Sequence, residues 1–174
     1  IYCEFVLEQF LDEESKLFYF TSDNQTDILL RKKDLYDSAV PSGNSTMVRN
    51  LQKLGVLLGK EHYRILAAEM LMKVQASVEQ YPTSFGRWAQ GLMNEVHPIH
   101  EIAIVGNQAI EQADALRRHF IPNKVVMATT KAMDDYPLLT GKPLEDSTLI
   151  YVCQNYTCQK PVETIDEAIK TIMS

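Results

Sequence analysis

A carboxylate and several small polar side chains gather in one short run, Asp37-Ser38-Ala39-Val40-Pro41-Ser42-Gly43-Asn44-Ser45. Pro41 disfavours a helical conformation at Val40, so the run reads as a turn leading into a helix. Ser42 or Asn44 can cap that helix by accepting a bond from a first-turn N–H. The positive end of a helix dipole favours an anion nearby. Asp37 there suits a base, a nucleophile or an acceptor of sugar hydroxyls better than a general acid. Sugar hydrolysis needs a second carboxylate roughly 5–9.5 Å away, and Asp34 is the local candidate. Arg31 and Lys33 could bind an anionic sugar or pair with these acids. The competing reading is that Asp37, Ser42 and Asn44 only cap the turn and the helix, a role worth ~1 kcal/mol.

Cys153 and Cys158 form the second candidate group. Structural zinc wants four ligands, with a second close pair. Three cysteines without such a pair do not supply it, so no metal is expected. The two are read as structural thiols, with a disulfide between them geometrically open and a redox role as the alternative. Cys3 is read as a core or interface thiol. His97 and His100 flank Pro98-Ile99 and read as a helix-to-strand turn with partly buried imidazoles. Gly106 precedes a helix but stands without the Gly-x-Gly-x-x-Gly fingerprint, and no cofactor is expected.

The elements that must position these residues follow from periodicity. Ile1, Phe5, Val6, Leu7, Phe10 and Leu11 lie on a broad apolar helical face. Lys16 to Thr21 reads as a strand, and Ile28 to Arg31 as a second extended run. Together they predict a β-hairpin or a long loop arm over 16–36. Met47, Leu51, Leu54 and Val56-Leu57-Leu58 predict a helix that stops at Gly59. Glu61 to Gln80 is its partner in an αα-hairpin. Ser84 is placed to cap a further helix through Trp88 and Val96. Texture changes near His97-Pro98. Glu101–Gly106 and Lys124–Thr129 read as buried strands joined by a helix, a parallel βαβ order. Ser147–Cys153 is a third strand, and Thr164 caps a last helix. The expected class is α+β, with a helical part over 1–97 and a small α/β segment over 98–174 whose short sheet is mainly parallel.

The 174 residues are 45% hydrophobic and carry a net charge of -6. An acidic chain lacks the basic face that nucleic acid requires, and no apolar run approaches the ~20 residues of a membrane span. Neither nucleic acid nor membrane is an expected partner. The odd cysteine count and the lack of a signal peptide point to a reducing, cytoplasmic setting. The missing initiator Met points to a fragment or processed product. An apolar face over residues 1–11 would then promote a homodimer.

The chain also resembles the late part of the YyaL-like (spermatogenesis-associated protein 20) family. The residues that carry the likeness are Leu30-Arg31-Lys32-Lys33-Asp34, the run Asp37–Ser45, Asn50-Leu51, Glu101–Gly106, Ile121-Pro122-Asn123-Lys124-Val125 and Tyr151–Pro161. Ser38 stands where the family usually has glycine. The resemblance implies a larger parent with a thioredoxin-like domain followed by an (α/α)6 toroid of the six-hairpin glycosidase type. Residues 1–97 would be its last hairpins, and Asp37–Ser45 the rim of its mouth. It further implies an uncharacterised, carbohydrate-related role for the parent: binding, hydrolysis or epimerisation of a sugar or other small molecule. Asp37 would be the catalytic candidate, and Arg31, Asp34, Ser42 and Asn44 would line the site. Activity needing a whole cleft is not expected from these residues alone. The alternative is a non-catalytic scaffold serving the thioredoxin-like domain in redox or protein-quality work, with the Cys153–Cys158 loop as interface.

Overall fold

Cys3, Val6, Leu7 and Phe10 fall on one stripe, and Tyr2–Phe10 winds into helix α1 with that stripe against a first apolar core. Ile1 before the helix and Tyr2 and Phe5 on it stay exposed. The structure, a computed structural model, describes residues 1–173. A tight turn follows α1, held by Asp12, which accepts bonds from Glu14 N–H and Ser15 Oγ. The turn pairs β1 (Leu11–Asp12) antiparallel with β2 (Leu17–Phe18), Leu11 opposite Phe18. This corrects the hairpin placement. The strand expected over 16–21 shrinks to Leu17–Phe18, and its partner lies before it, not at 28–31. Leu29 and Leu30 are exposed, with no buried face to fix a register. Residues 19–42 run as an irregular extended arm.

Helix α2 spans Gly43–Leu58, and Gly59 takes a positive φ of 63° directly after it. That left-handed residue ends the helix as glycine commonly does. Helix α3 (Glu61–Gln80) returns after a very short link and buries Tyr63, Leu66, Ala67, Met70, Leu71, Val74 and Val78. A 3-10 turn over Pro82–Ser84 leads to α4 (Gly86–Val96). Trp88 is fully buried in the core these helices share with Leu51 and Phe18. At Gly91 an added Cβ would press on Leu71 and Val48 at 3.0 and 3.1 Å, so the absence of a side chain sets the packing distance of α4.

The chain divides into two compact units. One comprises Ile1–Gly55 and Glu61–Glu95; the other comprises Val56–Lys60 and the chain from Val96 onward. In the second, β3 (His100–Val105), α5 (Ala109–Arg117) and β4 (Lys124–Thr129) form the βαβ unit, with β3 and β4 parallel. Then β5 (Leu149–Gln154) and β6 (Thr157–Cys158) complete a sheet of order β4-β3-β5-β6. The α+β class holds, but the sheet is mixed where it was expected to be mainly parallel: β5 is antiparallel to both β3 and β6. The physical reason is the connection. Residues 130–148 contain no helix, and a parallel return normally uses a crossover helix. One sheet face carries Ile102, Ile104, Ile150 and Val152 against α5 and α6 (Ile165–Met173); the other carries Ala103, Val105 and Val125 against Leu138, Leu139 and Val56. Thr164 and Glu167 cap α6 reciprocally, Glu167 N–H bonding Thr164 Oγ1 at 3.3 Å and Thr164 N–H bonding Glu167 Oε2 at 3.2 Å. Among the described residues no helix is long and apolar enough to cross a membrane.

Gly106 is the tightest point of the second unit. Its φ is 138°, and a Cβ there would lie 2.6 Å from the Thr148 Cα. Gly106→Ala is expected to lower stability by about 1–3 kcal/mol through overpacking alone, with backbone strain added. The urea midpoint measures it; an unchanged midpoint would contradict this close approach.

Candidate functional site

The site grows from the first turn of α2. Ser42 is its N-cap: Ser42 Oγ accepts the Ser45 N–H at 3.1 Å, and Ser42 C=O accepts the Thr46 N–H. Of the two capping options in the sequence, Ser42 takes the role and Asn44 does something else. Asn44 is 3% exposed and faces the arm. Its Oδ1 accepts the Phe18 N–H at 2.7 Å, while its Nδ2 donates to the Phe18 and Asp34 carbonyls at 2.8 and 3.0 Å. One amide side chain thus completes β2 and the arm.

Asp37 joins two helix starts. Its Oδ1 accepts the Ser42 N–H at 2.9 Å and the Ser45 hydroxyl at 2.6 Å. Its Oδ2 accepts the Arg87 N–H at 2.7 Å, in the first turn of α4. The backbone agrees: Asp37 N–H donates to the Ser84 carbonyl at 2.8 Å, and Trp88 Nε1–H donates to the Leu35 carbonyl at 2.8 Å. Ser84 therefore does not cap α4 by its side chain, as the sequence suggested. The carboxylate of Asp37 reaches the α4 amide from a distant part of the chain.

Arg31 and Lys33 fasten the arm. Arg31 donates to the Thr21 and Gln9 carbonyls and lies 4.1 Å over the Tyr19 ring. Lys33 pairs with Asp12 and bonds Ser15 Oγ at 2.8 Å. The Lys33 hydrogen bond, helped by Ser15, holds the Asp12 carboxyl well below the usual carboxylate range.

Asp34 gives its carbonyl to Asn44 and is among the residues lining a cleft of about 240 Å³. Val6, Phe10, Phe18, Phe20 and Met47 supply apolar walls, and Asn44 shares the floor. Asp34 also borders a groove of about 370 Å³ with Phe20, Lys32 and Lys33. Of the expected site residues, Asp34 and Asn44 meet at the cleft. Asp37, Ser42 and Arg31 are not among its lining residues. The aromatic walls were missed as site residues because Phe10 read as part of an apolar helical face and Phe18 as part of a strand. The alternation of Phe18 and Phe20 about the strand was the available signal. Missed too was Gln52, buried mid-helix in α2, whose Nε2 donates to the Gly91 carbonyl at 3.0 Å and to Glu95 Oε1 at 2.6 Å.

Cys153 and Cys158, expected as separate thiols, are joined in a disulfide across the β5–β6 pair, while Cys3 is free. Their opposed register positions bring the sulfurs together, which spacing in the sequence left open. His97 and His100 do not converge on a metal: among the described residues no group of three or more His, Cys, Asp or Glu could hold one. Burial pushes the His100 imidazole down from its ordinary value.

Two measurements follow. Asp37→Ala removes acceptors at two helix starts and is expected to cost about 1–3 kcal/mol, at ~1 kcal/mol per cap. Asp37→Asn keeps the Oδ1 acceptor and should cost less; equal midpoints for both variants in denaturant unfolding would sink the two-helix role. A depressed folded-state pKa means that Asp12 contributes fully above the ordinary carboxylate value of 3.8 and loses its contribution as pH falls below it. Lys33→Met should therefore lower Tm at neutral pH, and its gap to the parent chain should narrow in acid. A gap constant with pH would refute the pairing.

No family model matches the chain. It is 27% identical to spermatogenesis-associated protein 20 of Rattus norvegicus and to that of Homo sapiens, and 25% identical to that of Mus musculus. Each match covers 87% of this chain, and the chain spans 22% of the length of these curated relatives. Over most of its own length the chain is thus similar to spermatogenesis-associated protein 20.

Proposed function

We propose that this part of the chain is a non-catalytic scaffold within a larger parent, and that Asp37 serves it as a helix cap. One observation carries the reading. A carboxylate acting as base or nucleophile must turn a lone pair toward substrate, whereas Asp37 turns its oxygens to Ser42, Ser45 and Arg87. The domain such a scaffold would serve is, by the family resemblance, the thioredoxin-like part of the parent.

A second reading rests on a separate observation. The cleft beside α2 combines an exposed carboxylate, Asp34, with the rings of Phe10, Phe18 and Phe20. Aromatic walls with a few placed polar groups suit a small polar ligand, and a sugar fits that chemistry. The parent's carbohydrate-related role would then be one of binding at Asp34.

A glycan panel on the full-length parent, read by calorimetry, separates the two. Under the scaffold reading Asp37→Asn lowers stability and leaves any sugar affinity within about 3-fold, ~0.7 kcal/mol. Loss of turnover or binding in Asp37→Asn at unchanged stability would overturn it. Under the sugar reading Asp34→Ala weakens binding by roughly 10-fold or more, about 1.4 kcal/mol, with stability intact. No binding by the parent would end that reading.

A further inference from the structure

The four strands of the larger sheet set Val125, Glu101, Cys153 and Cys158 in one row, running β4, β3, β5, β6. Residues directly opposed across strands share a face. The row is graded in burial. Glu101 is 2% exposed and Cys153 1%, while Cys158 is exposed on the edge strand. The hairpin between the cysteines turns through Asn155 and Tyr156, both left-handed, with φ of 48° and 59°. Asn tolerates that region and Tyr visits it rarely. Tyr156 is held there at both ends: its N–H donates to Glu101 Oε2 at 2.9 Å, and its hydroxyl donates to the Val56 carbonyl at 3.0 Å.

We propose that Cys153–Cys158 is a thiol–disulfide exchange site for dithiols, with Cys158 the sulfur attacked and Cys153 the sulfur that leaves. Exchange requires a thiolate to approach a disulfide sulfur along an open path. The edge position of Cys158 offers one; the core around Cys153 does not. A thiolate of the dithiol bonds to Sγ of Cys158 as the Cys153–Cys158 bond breaks. The electron pair goes to Sγ of Cys153, which takes a proton from the medium. The second sulfur of the dithiol then displaces Sγ of Cys158, which is protonated in turn. Two electrons and two protons pass from the dithiol to the cysteine pair, and the dithiol leaves as its disulfide. Opening the bond leaves β6 a two-residue ladder, Cys153 with Cys158 and Gln154 with Thr157. The Tyr156 turn, held against its backbone preference, is then free to leave Glu101. The proposal does not depend on the scaffold or sugar readings of the first unit.

The whole chain is equilibrated in a series of reduced and oxidised dithiothreitol, quenched by alkylation and mapped by peptide mass. The expected result is that Cys153 and Cys158 convert together and reversibly, with Cys3 alkylated throughout. Hydrogen exchange over residues 150–162 should rise in the reduced form. In single variants, the thiol of Cys158 in Cys153→Ser should react with an aromatic disulfide at least ~10-fold faster than that of Cys153 in Cys158→Ser, as exposure governs thiol access. Should either variant fail to fold, glutathione adducts on the partly reduced parent chain decide the same point, expected on Cys158. Both cysteines alkylated at every ratio, a pair that resists reduction while the chain is folded, or adducts chiefly on Cys153 would each overturn the proposal.

Discussion

The carboxylate of Asp37 lies between the starts of α2 and α4, and both helices depend on it. Each helix start exposes N–H groups that its own ladder cannot satisfy, and each carries about half a positive charge. Two such ends drawn toward one point repel each other and leave donors unpaired. A single anion between them answers both problems, with Oδ1 on the α2 side and Oδ2 on the α4 side. The arm that delivers it is fixed at its neighbours too, at Leu35 by Trp88 and at Asp34 by Asn44. The first core closes around this arrangement, with Trp88 and Leu51 fully buried beneath it.

That dependence bears on function. Residue types that suggest chemistry, a carboxylate with Ser, Asn and Arg nearby, are here engaged with backbone amides and carbonyls. Ser42 caps, Asn44 closes β2, and Arg31 ties the arm to Thr21 and Gln9. Asp34, three positions before Asp37 on the same arm, is among the residues lining the cleft. Alternation explains the difference. In an extended segment successive side chains face opposite ways, so Asp34 is exposed while Leu35 and Asp37 turn inward.

The second unit uses a different device. Its sheet places a buried carboxylate opposite a buried cysteine, and that cysteine opposite an exposed one. A buried charge or polar group must find a donor, and Glu101 finds it in the amide of the hairpin tip, Tyr156. The hairpin, the disulfide and the carboxylate are thus parts of one row, although fifty-five positions of chain separate Glu101 from Tyr156.

Much of the architecture was legible in the residues themselves. Apolar spacing marked α2, α3 and the βαβ unit, Gly59 marked a helix stop, and Thr164 marked a helix start. These signals are local, since a helix face or a cap is written within a few positions. The sequence by itself also determined that a capping residue lies at 42–44 and that polar groups concentrate there. Tertiary structure alone decided which partner each group takes. It sent Asp37 to an α4 amide fifty positions away, turned β5 antiparallel, moved the hairpin partner of β2 to Leu11–Asp12, and brought Cys153 onto Cys158. Each of these is a choice among donors, faces or registers that are nearly equivalent locally. What separates them is which choice leaves the fewest buried polar groups unpaired and covers the most apolar surface, a sum that exists only once the distant segments have met.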